Sequence, residues 1–356
     1  MTRRSLCALL PAALARAQRR GLKIALGVGD YSDESLFFAG QLGVEWIDGP
    51  PRFQAEGAFR PLVPSPGNPP SGASRPWRED ELANVTAKLK SFGLRLGITP
   101  MPPIPNALLG KPERDRDIET VHAAIALAAR FEIPVIEYNF TALRASAGYY
   151  TVPGRGGSAL RAFDYERIRH DPPFPQLGRV TREEMWDRLG YFLKAVLPVA
   201  ERAGVKLAVH PNDPPVPEYR GVAQPLCTPG DLKQLVTRFP SPSNGITLDT
   251  GVTRECGEEP VAAIEWFGSR GRIHHVHFRN VRVETPRLNY TETFHDDGDI
   301  DMQAAMNALD RVGYPHLLVA DHTPKLPGDP PSRIGGWSYA VGYMKGLAER
   351  AARSRP

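Results

Sequence analysis

VKLAVHP (205–211), NGITLDTG (244–251), RIHHVHFRN (272–280) and HLLVADHT (316–323) are the four stretches that decide the fold. Each is a short apolar run ending in a polar residue. Behind each lies a segment with helical spacing: TPGDLKQLVTRF (228–239), PVAAIEWFGSR (260–270), DIDMQAAMNALDRVG (299–313) and a C-terminal helix from about Trp337. The runs lack strict period-two alternation, as strands buried on both faces do. Upstream the same unit recurs four times. LKIALGVG (22–29), VEWIDG (44–49), LRLGITPMP (94–102) and PVIEYNF (134–140) read as strands. DESLFFAGQLG (33–43), EDELANVTAKLKSFG (79–93), the stretch 112–130 and TREEMWDRLGYFLKAVLPVAERAG (181–204) read as helices. In the last of these, Thr181 and Glu184 have the spacing of a capping box. Eight β-then-α units in order predict an α/β fold, a parallel sheet closed into a (β/α)8 TIM barrel over residues 21–352, as one catalytic domain. A doubly wound open sheet is the main alternative. Its dinucleotide-binding version is disfavoured because the first βα turn, GVGDYSDES, lacks the full G-x-G-x-x-G pattern.

The remaining sequence is punctuation around these units. Residues 50–77 are rich in Pro, Gly and Ser and read as loop. Residues 141–180, with YY, GRGG and DPPFP, read as a long irregular segment. A loop of that length in a compact domain is usually functional, and the expectation is a cover over the active site at the C-terminal face. The chain has 356 residues, 41% hydrophobic and 24% charged, with a formal charge of +4. Arg3, Arg4, Arg16, Arg19 and Arg20 sit in the first twenty residues, so the rest sums close to neutral and argues against a nucleic-acid partner. No later run is long and apolar enough to span a membrane.

Residues 1–17 carry a twin-Arg start (Arg3-Arg4), an apolar stretch from Leu6 to Ala15 and small residues at Ala15 and Ala17. This pattern predicts a twin-Arg export signal, with a mature exported or periplasmic chain beginning near Gln18. A basic lead-in helix of a cytoplasmic enzyme is the alternative. Of the three cysteines, Cys7 falls in that leader. Cys227 and Cys256 are expected to be unpaired thiols, and no thiol-based zinc motif is present.

The strand ends carry the chemistry. His210, Asp249, His277 and Asp321 close the final four runs, where a barrel delivers side chains to its catalytic face. Two imidazoles and two carboxylates on consecutive strands suit a divalent transition metal with open positions for substrate oxygens. Mn2+ is the first expectation, with Fe2+, Co2+, Mg2+ and Zn2+ as alternatives. Taken singly, each residue has an ordinary explanation: a hydrogen-bonded core His, or an Asp capping a turn. Four on consecutive strand ends do not. His275 is expected to point opposite His274 and His277, toward the helical layer.

AGVKLAVHPNDPPVP (203–217), SPSNGITLDTG (241–251), RIHHVHFRNV (272–281), FHDDGDIDM (294–302) and ADHT (320–323) resemble segments of the D-mannonate dehydratases, a family of metal-dependent barrels. The resemblance runs from about Pro134 to Gly346. It implies metal ligands at His210, Asp249, His277 and Asp321, with Asp249 in place of the family's Cys. A carboxylate is a harder ligand than a thiolate and shifts preference toward Mn2+ or Mg2+. Val319 stands where the family has Arg, and Tyr339 is a shifted counterpart of a family Tyr. The resemblance implies a hydro-lyase acting on a small sugar acid, by proton removal beside the carboxylate and loss of the neighbouring hydroxyl. Expected roles are proton transfer at His322 and Tyr339, pairing of the substrate carboxylate with Arg279, and hydrogen bonds to substrate from Asn139, Arg279 and Asn280. A sugar isomerase or epimerase on the same barrel, and a non-catalytic exported sugar-acid binding protein, are the rival functions. A homo-oligomer stays open.

Overall fold

The structure, a computed structural model, describes residues 21–49 and 77–354. The expected export leader (1–17) and nearly all of the Pro/Gly/Ser-rich segment lie outside the described residues. Eight parallel strands close into a barrel: β1 Lys23–Gly27, β2 Trp46–Asp48, β3 Arg95–Pro100, β4 Val135–Asn139, β5 Lys206–His210, β6 Asn244–Asp249, β7 Ile273–His277 and β8 Leu317–Val319. Each pairs with its sequence neighbours, and β8 returns to β1 through Lys23↔Leu317 and Ile24↔Leu318. Closure rules out the open-sheet alternative. Eight helices follow the strands: α1 Asp33–Gln41, α2 Glu79–Ser91, α3 Arg114–Arg130, α4 Arg182–Ala203, α5 Pro229–Arg238, α6 Pro260–Gly268, α7 Met302–Arg311 and α8 Ile334–Arg353.

Helix α4 shows how local sequence sets these elements. The Thr181 hydroxyl accepts from the Glu184 amide at 3.2 Å, and the Glu184 carboxylate accepts from the Thr181 amide at 2.7 Å. Two of the amides left open at a helix start are thereby satisfied. Met185, Leu189, Phe192, Val196 and Ala200 then recur at helical spacing as the buried stripe. Gly204 ends the helix in the left-handed region at φ 69°.

The strands sort their side chains by period two. Leu26, Ile136, Leu207, Val209, Ile246, Leu248, Val276 and Leu318 point outward into the large apolar cluster shared with the helices. Ala25, Ile98, Val135, Ala208, Leu317 and Val319 form a separate, much smaller cluster inside the barrel. Above it the inward positions turn polar: Glu137, Thr247 and His275, then Asp48, Asn139, His210, Asp249 and His277. Register keeps this upper layer level, with Asn139 opposite His210 and Asp249 opposite His277. The same parity corrects the expectation for His275. Positions two apart share a face, so His275 lies inward with His277, their rings 4.9 Å apart. It is His274 that points out, toward His316 at 5.8 Å.

The 141–180 segment is more regular than its composition suggests. It contains a hairpin, Tyr149–Pro153 with Ala159–Asp164. A second hairpin, Val281–Thr285 with Asn289–Glu292, leaves β7 and pairs with it through Tyr290↔Phe163. The result is a four-stranded antiparallel sheet. Gly and Pro density marks turns but does not report strand partners contributed from 130 residues away. Cys227 and Cys256 are free thiols, and no helix among the described residues is long and apolar enough to cross a membrane.

Candidate active site

The C-terminal ends of the strands open into a cavity of about 250 Å³ whose walls include Asp48, Glu137, Asn139, His210, His277 and Asp321. His210 Nδ1 lies 2.7 Å from the Pro211 carbonyl. That carbonyl can only accept, so Nδ1 carries the proton and Nε2 presents a bare lone pair. His277 is held the other way round. Its Nε2 is 3.3 Å from Glu137 Oε1, which places a proton there and turns Nδ1 toward His210. Glu137 is itself fixed by the Thr247 hydroxyl, which donates at 2.7 Å. His210 Nε2 and His277 Nδ1 face each other at 3.1 Å, where a proton on His277 Nδ1 can donate to His210 and a cation can take that proton's place.

Two carboxylates complete the cluster. Asp249 divides its oxygens: Oδ1 accepts from the Val252 amide at 2.7 Å and caps the short helix Thr250–Glu255. Oδ2 lies 3.5 Å from His210 Nε2 and 3.7 Å from His277 Nδ1. The capping explanation and the ligand explanation are therefore both satisfied by one side chain. Asp321 sits two residues past β8 with φ 58°, a left-handed conformation that Asp tolerates better than most residues. Its Oδ1 is 3.5 Å from His277 Nδ1.

Lone pairs and anions crowded in this way repel unless a proton or a metal cation lies among them. Their spacing of 3.1–3.7 Å matches the ligand–ligand separations around one divalent ion with bonds of about 2.0–2.2 Å. His277 shows the same field through its proton. Burial opposes charge on the ring, yet Asp321, Glu137 and Asp249 push it up to about 10. The donor set, mixed N and O with the second nitrogen of each imidazole anchored, fits a divalent transition ion and its supporting shell. His210, Asp249 and His277 converge as a metal-competent group, as do Glu137, His275 and His277.

The other expected site residues divide. His322 lines the cavity. Its Nδ1 lies 3.0 Å from Glu292 Oε2, and its Nε2 3.4 Å from Asp321 Oδ2. Asn139 also lines the cavity. Arg279 does not. It is 1% exposed and lies behind the metal-competent residues, with Nε donating to Asp249 at 3.0 Å and Nη1 to Glu255 at 2.7 Å. Asp321 and Asp213 lie 3.3 and 3.7 Å away. Arg279 Nη2 has no hydrogen-bond partner among the described residues, but the guanidinium is buried and off the cavity wall, a placement that suits a positioning role better than the expected pairing with a substrate carboxylate. Asn280 is likewise engaged internally. Its amide donates to the His295 and Ile300 carbonyls, and its oxygen accepts from the Val281 and Ile300 amides. Tyr339 points away from the cavity. On α8 it is Trp337 and Val341, one turn apart, that line the wall. The Tyr339 hydroxyl accepts from Arg155 at 3.3 Å, and its ring packs on Phe294. Burial and Asp296 push that phenol up to about 12.

Several participants were given no role by the sequence. Glu137 could have been found as a lone charge inside an apolar strand, since such charges are rarely buried without a partner. Asp48 ends β2, where burial and the nearby Glu137 push its carboxyl up to about 7. Asp213 is a hub: Tyr149 donates to it at 2.6 Å and Arg144 at 3.2 Å. Burial alone would raise its carboxyl, but Arg144, Arg279 and Arg161 hold it well below the usual range. Arg161 and Glu292 come from the two hairpins.

The chain as a whole has counterparts among known proteins. The family model described as D-mannonate dehydratase (UxuA) matches residues 159–355, more than half of the chain. Mannonate dehydratase 2 of Halalkalibacterium halodurans is 29% identical over 305 residues, covering 77% of this chain and 87% of the relative. Mannonate dehydratase of Streptococcus equi subsp. zooepidemicus is 28% identical over 316 residues, covering 79% and 86%. Among solved structures, mannonate dehydratase from Streptococcus suis serotype 2 superposes with a TM-score of 0.78 at 24% identity, covering 94% of each chain. A D-tagatose 3-epimerase-like protein superposes at 0.59 with 16% identity, covering 93% and 99%, a likeness of fold. With its barrel, its strand-end donors and a family model spanning its C-terminal half, the chain belongs to the D-mannonate dehydratase (UxuA) family.

Proposed function

We propose that this chain is a hydro-lyase that dehydrates D-mannonate, or a sugar acid of the same pattern, to a 2-keto-3-deoxy acid and water. The observation that carries the proposal is the cluster of His210, Asp249, His277 and Asp321 at the strand ends of a chain that belongs to this family. In the reaction the proton on C2 leaves, the C3 hydroxyl departs with a proton as water, and the resulting enol becomes the ketone. A divalent ion held by these four residues would withdraw charge from the substrate oxygens and so lower the barrier to losing the C2 proton. Mn2+ is the metal we favour, because all four donors here, two carboxylates and two imidazoles, are hard or borderline and none is a thiolate; Fe2+, Co2+, Mg2+ and Zn2+ are alternatives.

The chain's own side chains supply the rest. His322, oriented by Glu292 and exposed to the cavity, is the proposed proton carrier. Asp48, with its carboxyl near neutrality, is positioned to serve as the second. Asn139 is placed to hydrogen-bond a substrate hydroxyl. Arg279 holds Asp249 in place, and Glu137 does the same for His277. The sheet formed by the two hairpins brings Glu292 to His322 and Tyr149 to Asp213, and we assign it the covering role over the site. Export of the folded enzyme by the twin-Arg route is a further part of the proposal and rests on residues 1–17 alone.

The test is one assay. The Mn2+-loaded protein is given D-mannonate and 2-keto-3-deoxy acid is measured. Product that vanishes with chelator and returns with Mn2+ is the expected result. An epimer or ketose in place of the deoxy acid would refute dehydration and favour an isomerase or epimerase on this barrel.

A further inference from the structure

The cavity wall has an unusual charge balance. Four carboxylates reach it: Asp48, Glu137, Asp213 and Asp321. Arg144 is the one permanently charged cation lining it among the described residues. It rises from the segment that follows β4, on the same face as the metal-competent cluster. Its attachment is one-sided. Nε donates to the Asp213 backbone carbonyl and Nη2 to Asp213 Oδ2 at 3.2 Å. Nη1 has no protein acceptor among the described residues, and the side chain remains 31% exposed while its partner Asp213 is 3% exposed. Asp213 is in turn fixed by the Tyr149 hydroxyl. The result is a guanidinium clamped along one edge by a rigid carboxylate, with its other edge presented to the cavity.

We propose that Arg144 is the anchor for the carboxylate of the substrate, and that it sets the preference of this site for an aldonate over a neutral polyol. The inference deepens the sugar-acid function proposed above and rests on it. An anion entering this cavity meets repulsion from the carboxylates on the wall. It finds opposite charge at the free edge of Arg144 and at a cation held by the metal-competent cluster. A carboxylate can accept two parallel hydrogen bonds from a guanidinium edge, which fixes direction as well as charge. A polyol of the same length offers no such pairing. Arg279, committed to Asp249 and Glu255, cannot compete for this role, and Arg161 is engaged by Glu292.

The experiment compares the Mn2+-loaded wild type with R144M and R144K in direct binding to D-gluconate and to neutral D-glucitol. Wild type is expected to favour the anion. In R144M the anion-to-polyol preference should fall about ten- to a hundred-fold, the share of one charge-assisted pair. Affinity for the polyol should change by less than about three-fold in the same variant. R144K, which keeps charge but not the fork, should fall between. An unchanged preference in R144M, or equal loss of both ligands, overturns the inference, and so does a wild type that binds neither. D-mannonate turnover is measured separately. Arg144-dependent aldonate binding without turnover would sink the dehydratase function alone, while turnover with a KM indifferent to R144M would sink only the anchor.

Discussion

Replacing Arg279 with Met distinguishes a residue that touches substrate from one that holds the site together. The Arg279 side chain is 2% exposed and faces Asp249, Glu255, Asp321 and Asp213 at 3.0, 2.7, 3.3 and 3.7 Å. Removing one partner of a buried ion pair leaves the other charge desolvated, at a cost of about 3–5 kcal/mol. Glu255 can escape part of this, because burial already pushes its carboxyl well above the usual range, so it can remain neutral. Asp249 cannot, since its Oδ2 also belongs to the metal-competent cluster. The R279M variant is therefore expected to lose about 3–5 kcal/mol in urea denaturation, and its Mn2+ affinity should weaken about 10- to 100-fold, as for other residues that support ligands from behind. At saturating Mn2+ its KM for sugar acid should stay within a few-fold of wild type. Gly251 packs directly beneath: a Cβ there would lie 2.5 Å from Arg279 Nη1, so G251A should reproduce the loss of metal affinity in milder form. A variant R279M with unchanged stability and metal affinity but a KM raised ten-fold or more would refute this account and return Arg279 to the substrate.

Further outcomes follow from the same geometry. H210A and D321N should lose both bound Mn2+ and turnover, measured by metal analysis of the purified protein; retention of a full equivalent of metal would exclude either residue as a ligand. H322N should keep its metal while kcat falls about 10²- to 10⁴-fold, the usual contribution of a positioned acid or base, and metal loss in that variant would reassign His322 as a ligand. The stability contributed by His274 and His295 should fall as pH drops from about 6.5 toward 4. Burial holds His274 down to about 3 and His295 to about 4, so between these values and 6.5 the unfolded chain binds more protons than the folded one, and stability rises with pH across that window. Each ring accounts for about 2 kcal/mol between pH 6.5 and 5; an H274Q variant whose urea midpoint depends on pH as steeply as wild type would contradict this. For the leader, N-terminal sequencing of chain recovered from the periplasm should begin near Gln18, and uncleaved chain confined to the cytoplasm would eliminate export.

The alternation of apolar runs and helical segments was enough to place all eight barrel strands, because each unit is local: the run, its turn residues and the cap are adjacent in sequence. Thr181 and Glu184 sit three residues apart and met as their spacing requires. His210, Asp249 and His277 were visible for a related reason. A parallel strand buried on both faces has few grounds to end in a charged or imidazole side chain unless the barrel mouth uses it. Tertiary structure decided everything that depends on direction and on partners far away in the chain. Arg279 looked free to bind an anion until Asp249 and Glu255 closed around it. Tyr339 lay in the right helix but on the wrong side, two residues from Trp337. Asp48 and Arg144 gave no motif at all, and Asp213, although inside the HPNDPP segment, had no role assigned to it. Their significance comes from a shared cavity wall whose field is the sum of charges brought from β2, the segment after β4 and the segment after β5. Periodicity reports which face a residue occupies, but the energy of a buried charge depends on what lies across the gap, and only the closed barrel brings those groups together.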